Sequence, residues 1–328
     1  MTDLTTEQCA TPSSDSTTET GKESSRQSGT VVANGIELFY ESWGRPEDPA
    51  LLLIMGLGTQ MTGWPENFCA QLCGHGFRAI RFDNRDIGLS QKMDGQKAPS
   101  PVTQVLAKCR PGKAPFGRGV PYTLFDMAND TLGLLDQLGI QKVHVVGASM
   151  GGMIAQILSA RHPERVASLT SIMSGPSWWG TRPHVTRHLL QRPGSSHEAR
   201  IAHSIKTWQL IGSPGWPQSE AEIRRKVEAS MARSDYPAGY SRQLAAVIAT
   251  GDRRKLLRSI AVPTLVIHGD SDVMMPLSRG RATAKHIPGA KLEVIAGMGH
   301  NFPEALHGMI AQLIADHASA AIPVPEQF

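Results

Sequence analysis

The sequence predicts an α/β fold: a mostly parallel central sheet flanked by helices, with a helical segment inserted late in the chain. Three observations lead there. Short apolar runs closed by glycine or polar clusters alternate with stretches of helical periodicity, the pattern of a parallel sheet covered on both faces. The run Ala50-Leu51-Leu52-Leu53-Ile54-Met55 contains no polar residue, as expected of a strand buried on both sides. Between residues 175 and 260 the alternation stops, and only helix-like pieces separated by Gly, Pro and Ser remain.

In chain order, the first residues are rich in Thr, Ser, Glu and Gln and nearly devoid of apolar side chains. They bury too little surface to offset ordering entropy, so residues 1–29 are expected to form a disordered tail. The core is expected to comprise 30–174 and 261–322, with 175–260 as a helical cap. Val31-Val32 and the run from Ile36 to Glu41 flank Asn34-Gly35, a hairpin turn signal. After the apolar strand ending at Met55, a helix is predicted around 65–73 and a strand over 77–82. A Gly/Pro-rich stretch, 91–121, is longer than ordinary connections and suits either a pocket wall or a surface excursion. Leu124, Met127, Thr131, Leu134, Leu135 and Leu138 recur at helical spacing before Gly139, which predicts a helix over 123–138. A strand over 142–147, a helix over 150–160 and a strand over 165–174 follow. The inserted pieces are 184–191, 198–210, 219–232 and 242–249. The sheet then resumes at 263–268, followed by a helix over 277–286, a strand over 292–295 and a last helix over 303–317. Pro323 and Pro325 end the ordered chain.

The junction of the 142–147 strand with its helix reads Gly147-Ala148-Ser149-Met150-Gly151-Gly152. This matches the G-x-S-x-G nucleophile elbow. A serine on a sharp strand-to-helix turn adopts a strained backbone, at a cost of roughly 1–3 kcal/mol. Strand and helix then pass so closely that glycine is needed at 147 and 151. The turn lifts the hydroxyl above the sheet and leaves the Met150 N–H, at the helix start, facing any negative charge that develops there.

A serine hydroxyl is a weak nucleophile until a base takes its proton, and the base needs a third group to hold its tautomer. Chains built on this elbow carry the acid and then the histidine after the serine. Acids cluster at one later strand end, His268-Gly269-Asp270-Ser271-Asp272. Spacing leaves both Asp270 and Asp272 open, although Asp270 lies near enough to the strand to tie the turn together. Among the 12 histidines, His300 stands in the glycine loop Gly297-Met298-Gly299-His300, directly after the last predicted strand. His307 and His317 fall on the final helix and read as surface residues. His144 reads as a core histidine and His268 as a turn residue. A second backbone donor is expected in the loop after the first apolar strand, where Met55-Gly56-Leu57-Gly58 supplies Leu57 N–H.

Together with Asp83-Asn84-Arg85-Asp86-Ile87-Gly88-Leu89-Ser90, these motifs resemble the α/β-hydrolase superfamily from about residue 30 to 322. Within it, the chain resembles the capped bacterial carboxylic-ester hydrolases. Met55-Gly56, with Gly63-Trp64-Pro65 after it, resembles the aclacinomycin methylesterases, whereas many relatives carry His-Gly where this chain has Met55-Gly56. The resemblance implies Ser149 as nucleophile, Asp272 as acid, His300 as base, and the Leu57 and Met150 N–H groups as oxyanion donors. It implies hydrolysis of a small-molecule ester with no metal and no organic cofactor. Serine at 149 argues against the epoxide hydrolases and haloalkane dehalogenases of this fold, which use aspartate. Amide, thioester and carbon–carbon hydrolysis, acyl transfer and perhydrolysis use the same triad and stay open. So does a ligand receptor that retains the triad, which turns over slowly or once. Substrate choice is expected to lie in the insertion and in the loop after Leu57, with Trp178-Trp179 as an apolar wall or as core packing.

Composition narrows the partners. Lys+Arg number 33 against 29 Asp+Glu, and no basic stripe is interleaved with aromatics, which argues against nucleic acid. The basic excess between Arg182 and Arg258 reads as a solvated face. Cys9, Cys69, Cys73 and Cys109 form no disulfide framework, no apolar run approaches a membrane span, and no secretory signal opens the chain; a cytoplasmic protein with reduced thiols is expected. Nothing in the sequence sets an oligomeric state.

Overall fold

The computed structural model describes residues 26–101, 103–104, 119–178, 180–191 and 194–321. Residues 1–25 of the expected tail, Cys9, Cys109, most of the second half of the 91–121 stretch, Trp179, Pro323 and Pro325 lie outside them.

Among the described residues, eight strands form one sheet: β1 (Gln27–Ala33), β2 (Ile36–Trp43), β3 (Ala50–Ile54), β4 (Arg78–Phe82), β5 (Val143–Ala148), β6 (Val166–Ile172), β7 (Thr264–Gly269) and β8 (Lys291–Ile295). Their spatial order is β1-β2-β4-β3-β5-β6-β7-β8. The hairpin β1–β2 and the β2–β4 pair are antiparallel, and every other pair is parallel. Strand β1 begins before Thr30, inside the stretch expected to be tail. The hairpin register carries it there, since pairing with β2 continues outward from Asn34-Gly35 as far as Gln27 opposite Ser42. Backbone pairing extends a strand past its last apolar side chain.

Helices α1 (Glu66–Gly74), α2 (Leu124–Gln137) and α3 (Met150–Arg161) alternate with strands β3 to β6. The inserted segment between β6 and β7 holds α4 (Pro183–Leu189), α5 (His197–Ile211), α6 (Glu220–Arg233), α7 (Pro237–Thr250) and the short α8 (Arg254–Leu257). Helices α9 (Leu277–His286) and α10 (His307–Ser319) close the chain. Helix α7 starts five residues ahead of the predicted 242 because Pro237 takes the first helical turn, where its missing N–H costs nothing.

The sheet lies between two apolar layers. Leu52 and Ile54 pack with α2 and α3 on one face, while Leu51 and Leu53 pack with Trp64, Phe68 and α10 on the other. All four are fully buried, which is why β3 tolerates no polar residue. His307 corrects the expectation of a surface histidine: it is 3% exposed, with its ring stacked on Phe302 at 4.6 Å. The expected basic face is also interrupted. Arg242 is buried against Asp86, and Arg253 is buried with its guanidinium donating to the Gly175 and Gly251 carbonyls. No helix among the described residues is long and apolar enough to cross a membrane.

His144, in the middle of β5, is buried beside Ser168, with Nδ1 and Oγ 2.9 Å apart. Burial pushes its imidazole down to about 4, against 6.5 in an exposed chain. The unfolded chain therefore binds a proton that the folded one refuses. Stability is intact above about pH 6.5, falls as the pH drops towards 4, and stops falling below that. The loss attributable to His144 is about 3 kcal/mol at most. Urea unfolding of His144→Gln across this range is expected to show a shallower pH dependence than wild type; an unchanged slope would remove His144 as a source of acid lability.

Candidate active site

The site forms where the chain reverses its winding. From β3 it moves to β4 on one side, then crosses back to β5 on the other, so the carboxyl ends of β3 and β5 border a crevice at the topological switch point. The loop leaving β3 and the turn leaving β5 both open there. Ser149 sits at the tip of the second, with φ 55° and ψ −118°, a strained conformation for a non-glycine residue. Close packing enforces it. A Cβ on Gly147 would lie 2.3 Å from the Gly151 carbonyl oxygen, and one on Gly151 would lie 2.0 Å from that of Ile54. Ser149 is tied at both ends, its N–H donating to Ile172 C=O at 2.9 Å and its C=O accepting from Ser174 Oγ at 2.8 Å.

Asp272 and His300 arrive from the loops after β7 and β8, further along the same carboxyl edge of the sheet. His300 Nε2 is 3.0 Å from Ser149 Oγ, and His300 Nδ1 is 2.7 Å from Asp272 Oδ2. A carboxylate accepts only, so Nδ1 carries the proton and Nε2 is left to accept from the serine hydroxyl. Asp272 is 4% exposed, and its Oδ1 accepts from the Met274 and Met275 N–H groups at 2.9 and 2.7 Å. Those two donors fix the carboxylate plane and offset its charge. His268 braces the same turn: Nε2 donates to Met275 C=O at 2.6 Å, and burial pushes its imidazole below the usual histidine range, keeping it neutral. Asp270 is exposed and binds Ser271 Oγ and Gly297 N–H, each at 2.8 Å, so it fastens the acid turn to the histidine loop.

Two backbone donors border the serine. Met150 is the first residue of α3, where N–H groups have no intrahelical acceptor and the helix dipole favours negative charge. Leu57 follows Gly56, whose Cβ position would lie 3.1 Å from Ser149 Cβ, so its loop runs beside the hydroxyl. The five residues singled out by sequence are thus neighbours in space, drawn from three separate loops and one helix start.

Sequence reading assigned no roles to the groups that hold these loops. Asn84 Nδ2 donates to Met55 C=O at 3.0 Å, and Asp83 Oδ1 accepts from Met61 N–H at 2.8 Å, so the polar run after β4 ties down both ends of the Leu57 loop. Ser213 Oγ accepts from Gly299 N–H at 2.8 Å, and Ile211 C=O accepts from His300 N–H at 2.7 Å, so the end of α5 carries the histidine loop. The clustering of Asp83, Asn84, Arg85 and Asp86 was the available signal for the first. Nothing local marked Ser213, whose partner is 86 residues away. Trp178 is half-buried and packs against the core layer that contains Met275.

Comparison with known proteins gives the family. Residues 49–304 match the family model described as alpha/beta hydrolase fold. Rhodomycin D methylesterase DauP of Streptomyces sp. (strain C5) is 28% identical over 316 residues, covering 89% of this chain and 98% of that protein. The 3-oxoadipate enol-lactonase 2 of Acinetobacter baylyi is 27% identical over 271 residues, covering 81% and 87%. Among solved structures, a meta-cleavage product hydrolase from Pseudomonas fluorescens IP01 superposes with a TM-score of 0.71 at 18% identity, covering 90% of this chain and 98% of that one, a likeness of fold alone. With a sheet of this order, a serine at this strained turn and a family match over most of its length, the chain belongs to the alpha/beta hydrolase fold family.

Proposed function

We propose that this protein is a serine esterase that cleaves a small to medium, apolar carboxylic ester through an acyl-enzyme. The observation that carries the reading is the line from Ser149 Oγ through His300 to Asp272, at 3.0 and 2.7 Å. Ser149 Oγ attacks the ester carbonyl carbon as its proton passes to His300 Nε2. Asp272 orients the ring and stabilises its cation. The Leu57 and Met150 N–H groups receive the oxyanion. Collapse expels the alcohol, which takes the proton from His300, and water repeats the sequence to release the acid. Each step is closed among these side chains and water. The similarity to a methylesterase favours an ester over the amide and carbon–carbon bonds open to the same triad. The segment 175–260 acts as a cap above the site and sets substrate preference.

An alkyl fluorophosphonate tests the reading. It is expected to add one phosphonyl group per chain, on Ser149, and to end multiple turnover of short aryl esters in step with labelling. Stoichiometric labelling of a protein that turns over once or not at all would instead favour a ligand receptor. Labelling elsewhere would overturn the assignment of the nucleophile.

A further inference from the structure

We infer that Gln243, on α7 of the inserted segment, is a positioning residue for the oxyanion donor at Leu57; the inference rests on the esterase reading above. The Leu57 loop is a tight turn. Thr59 N–H donates to Gly56 C=O at 3.3 Å, and Gly58, at the third turn position, has φ +65°. That positive φ is the mark of a type II turn, whose central peptide, here Leu57–Gly58, is the unit that flips between turn types. Gly58 tolerates either orientation, so the turn does not select one by itself.

Gln243 selects it. The side chain is fully buried, and its Oε1 accepts from Gly58 N–H at 2.9 Å while its Nε2 donates to Arg85 C=O at 2.8 Å. Only this orientation of the amide satisfies both neighbours, because a flipped amide would set donor against donor and acceptor against acceptor. Tyr240, one turn earlier on α7, closes the other side: a Cβ on Gly58 would lie 2.5 Å from its ring. Leu57 is therefore held between two fixed points, Gly56 against Ser149 and Gly58 against α7.

The helix that does this is itself anchored. Arg242, adjacent to Gln243, forms a two-pronged pair with Asp86, both distances 2.8 Å, and Tyr122 O–H donates to the same carboxylate at 2.6 Å. Gln60, at the far end of the loop, donates to the Ser230 and Ser234 carbonyls at 2.6 and 2.9 Å at the end of α6. The inserted segment thus does more than cover substrate. It holds the peptide that directly follows Leu57 N–H, one of the two groups proposed to receive the oxyanion, so that donor is positioned through its neighbour when α7 is seated on the 83–88 loop.

The test compares Gln243→Met, which keeps length and loses both hydrogen bonds, with Gln243→Glu, which as the protonated acid that burial favours keeps an acceptor for Gly58 N–H and a donor for Arg85 C=O. On a short aryl ester, Gln243→Met is expected to lower kcat about 10- to 100-fold, less than outright loss of an oxyanion donor, with KM changed less than about threefold. Gln243→Glu is expected to recover most of that loss. The affinity of a trifluoromethyl ketone, whose carbonyl becomes an oxyanion when Ser149 Oγ adds to it and the proton moves to His300, is expected to fall by the same factor as kcat/KM. A merely structural role predicts a lower Tm without that proportionality. The inference is overturned if folded Gln243→Met stays within about threefold of wild type, if ketone affinity does not follow kcat/KM, or if the Glu and Met variants are equally impaired. Should Gln243→Met not fold, the same proportionality measured on Gln243→Asn, whose amide is one methylene too short to reach both partners, decides. Ester hydrolysis by wild type that survives in Ser149→Ala would bring down the esterase reading itself, independently of any Gln243 result, and this inference with it.

Discussion

Ser149→Ala is expected to lower kcat on a short aryl ester by on the order of 10⁵–10⁶-fold, with folding and Tm nearly unchanged. The asymmetry follows from where the residue sits. Its backbone conformation is imposed by the Gly147 and Gly151 contacts, which the substitution leaves intact, and alanine meets φ 55° with the same strain as serine. The backbone bonds to Ile172 and Ser174 remain. Only the hydroxyl and its contact with His300 Nε2 are lost. The stability change is therefore expected to stay within about 1 kcal/mol. Steady-state kinetics beside thermal unfolding reads both halves. Full activity in a folded Ser149→Ala would remove the nucleophile, and a collapse in Tm would make the activity loss uninformative about chemistry.

Asp272→Asn is expected to cost about 10⁴-fold in kcat, more than its small change in shape suggests. Two donors, Met274 N–H and Met275 N–H, converge on Oδ1. In the amide, oxygen must take that position, because an NH₂ there would face two N–H groups. The NH₂ is then turned towards His300 Nδ1, 2.7 Å away in the native pair. A donor facing Nδ1 drives the proton to Nε2, which then points a hydrogen at Ser149 Oγ and cannot accept one. The ring stays in place with the wrong tautomer. Single-turnover acylation rates check this directly. If the variant kept activity within about tenfold of wild type, the acid role would pass to Asp270, whose carboxylate reaches the same loop through Gly297 N–H at 2.8 Å.

The two acids show where sequence reading stops. Spacing alone left Asp270 and Asp272 both available at the end of β7, and the choice between them came from resemblance. In space they part. Asp270 is exposed and faces Ser271 and Gly297, while Asp272 is buried and faces His300. The turn from β7 decides this, held by His268 Nε2 on Met275 C=O and by the Met274 and Met275 N–H groups on Asp272. His307 fell to the same limit. On a helical pattern it reads as polar and outward, yet aromatic rings of α1 and the Phe302 segment enclose it, while Met309, two residues on, is 52% exposed.

Read by itself, the sequence determined what local chemistry dictates: buried strands from unbroken apolar runs, helices from their period, and an elbow from glycines where no side chain fits. These are properties of a residue and its near neighbours, and they sufficed to place Ser149 and the glycine loop of His300. Only the tertiary structure decided what holds the Leu57 and His300 loops in place. Gln243 meets Gly58 across 185 residues, and Ser213 meets Gly299 across 86. Such pairs leave no periodic trace, because a single polar side chain buried on one helix carries no local sign of which distant backbone group it satisfies.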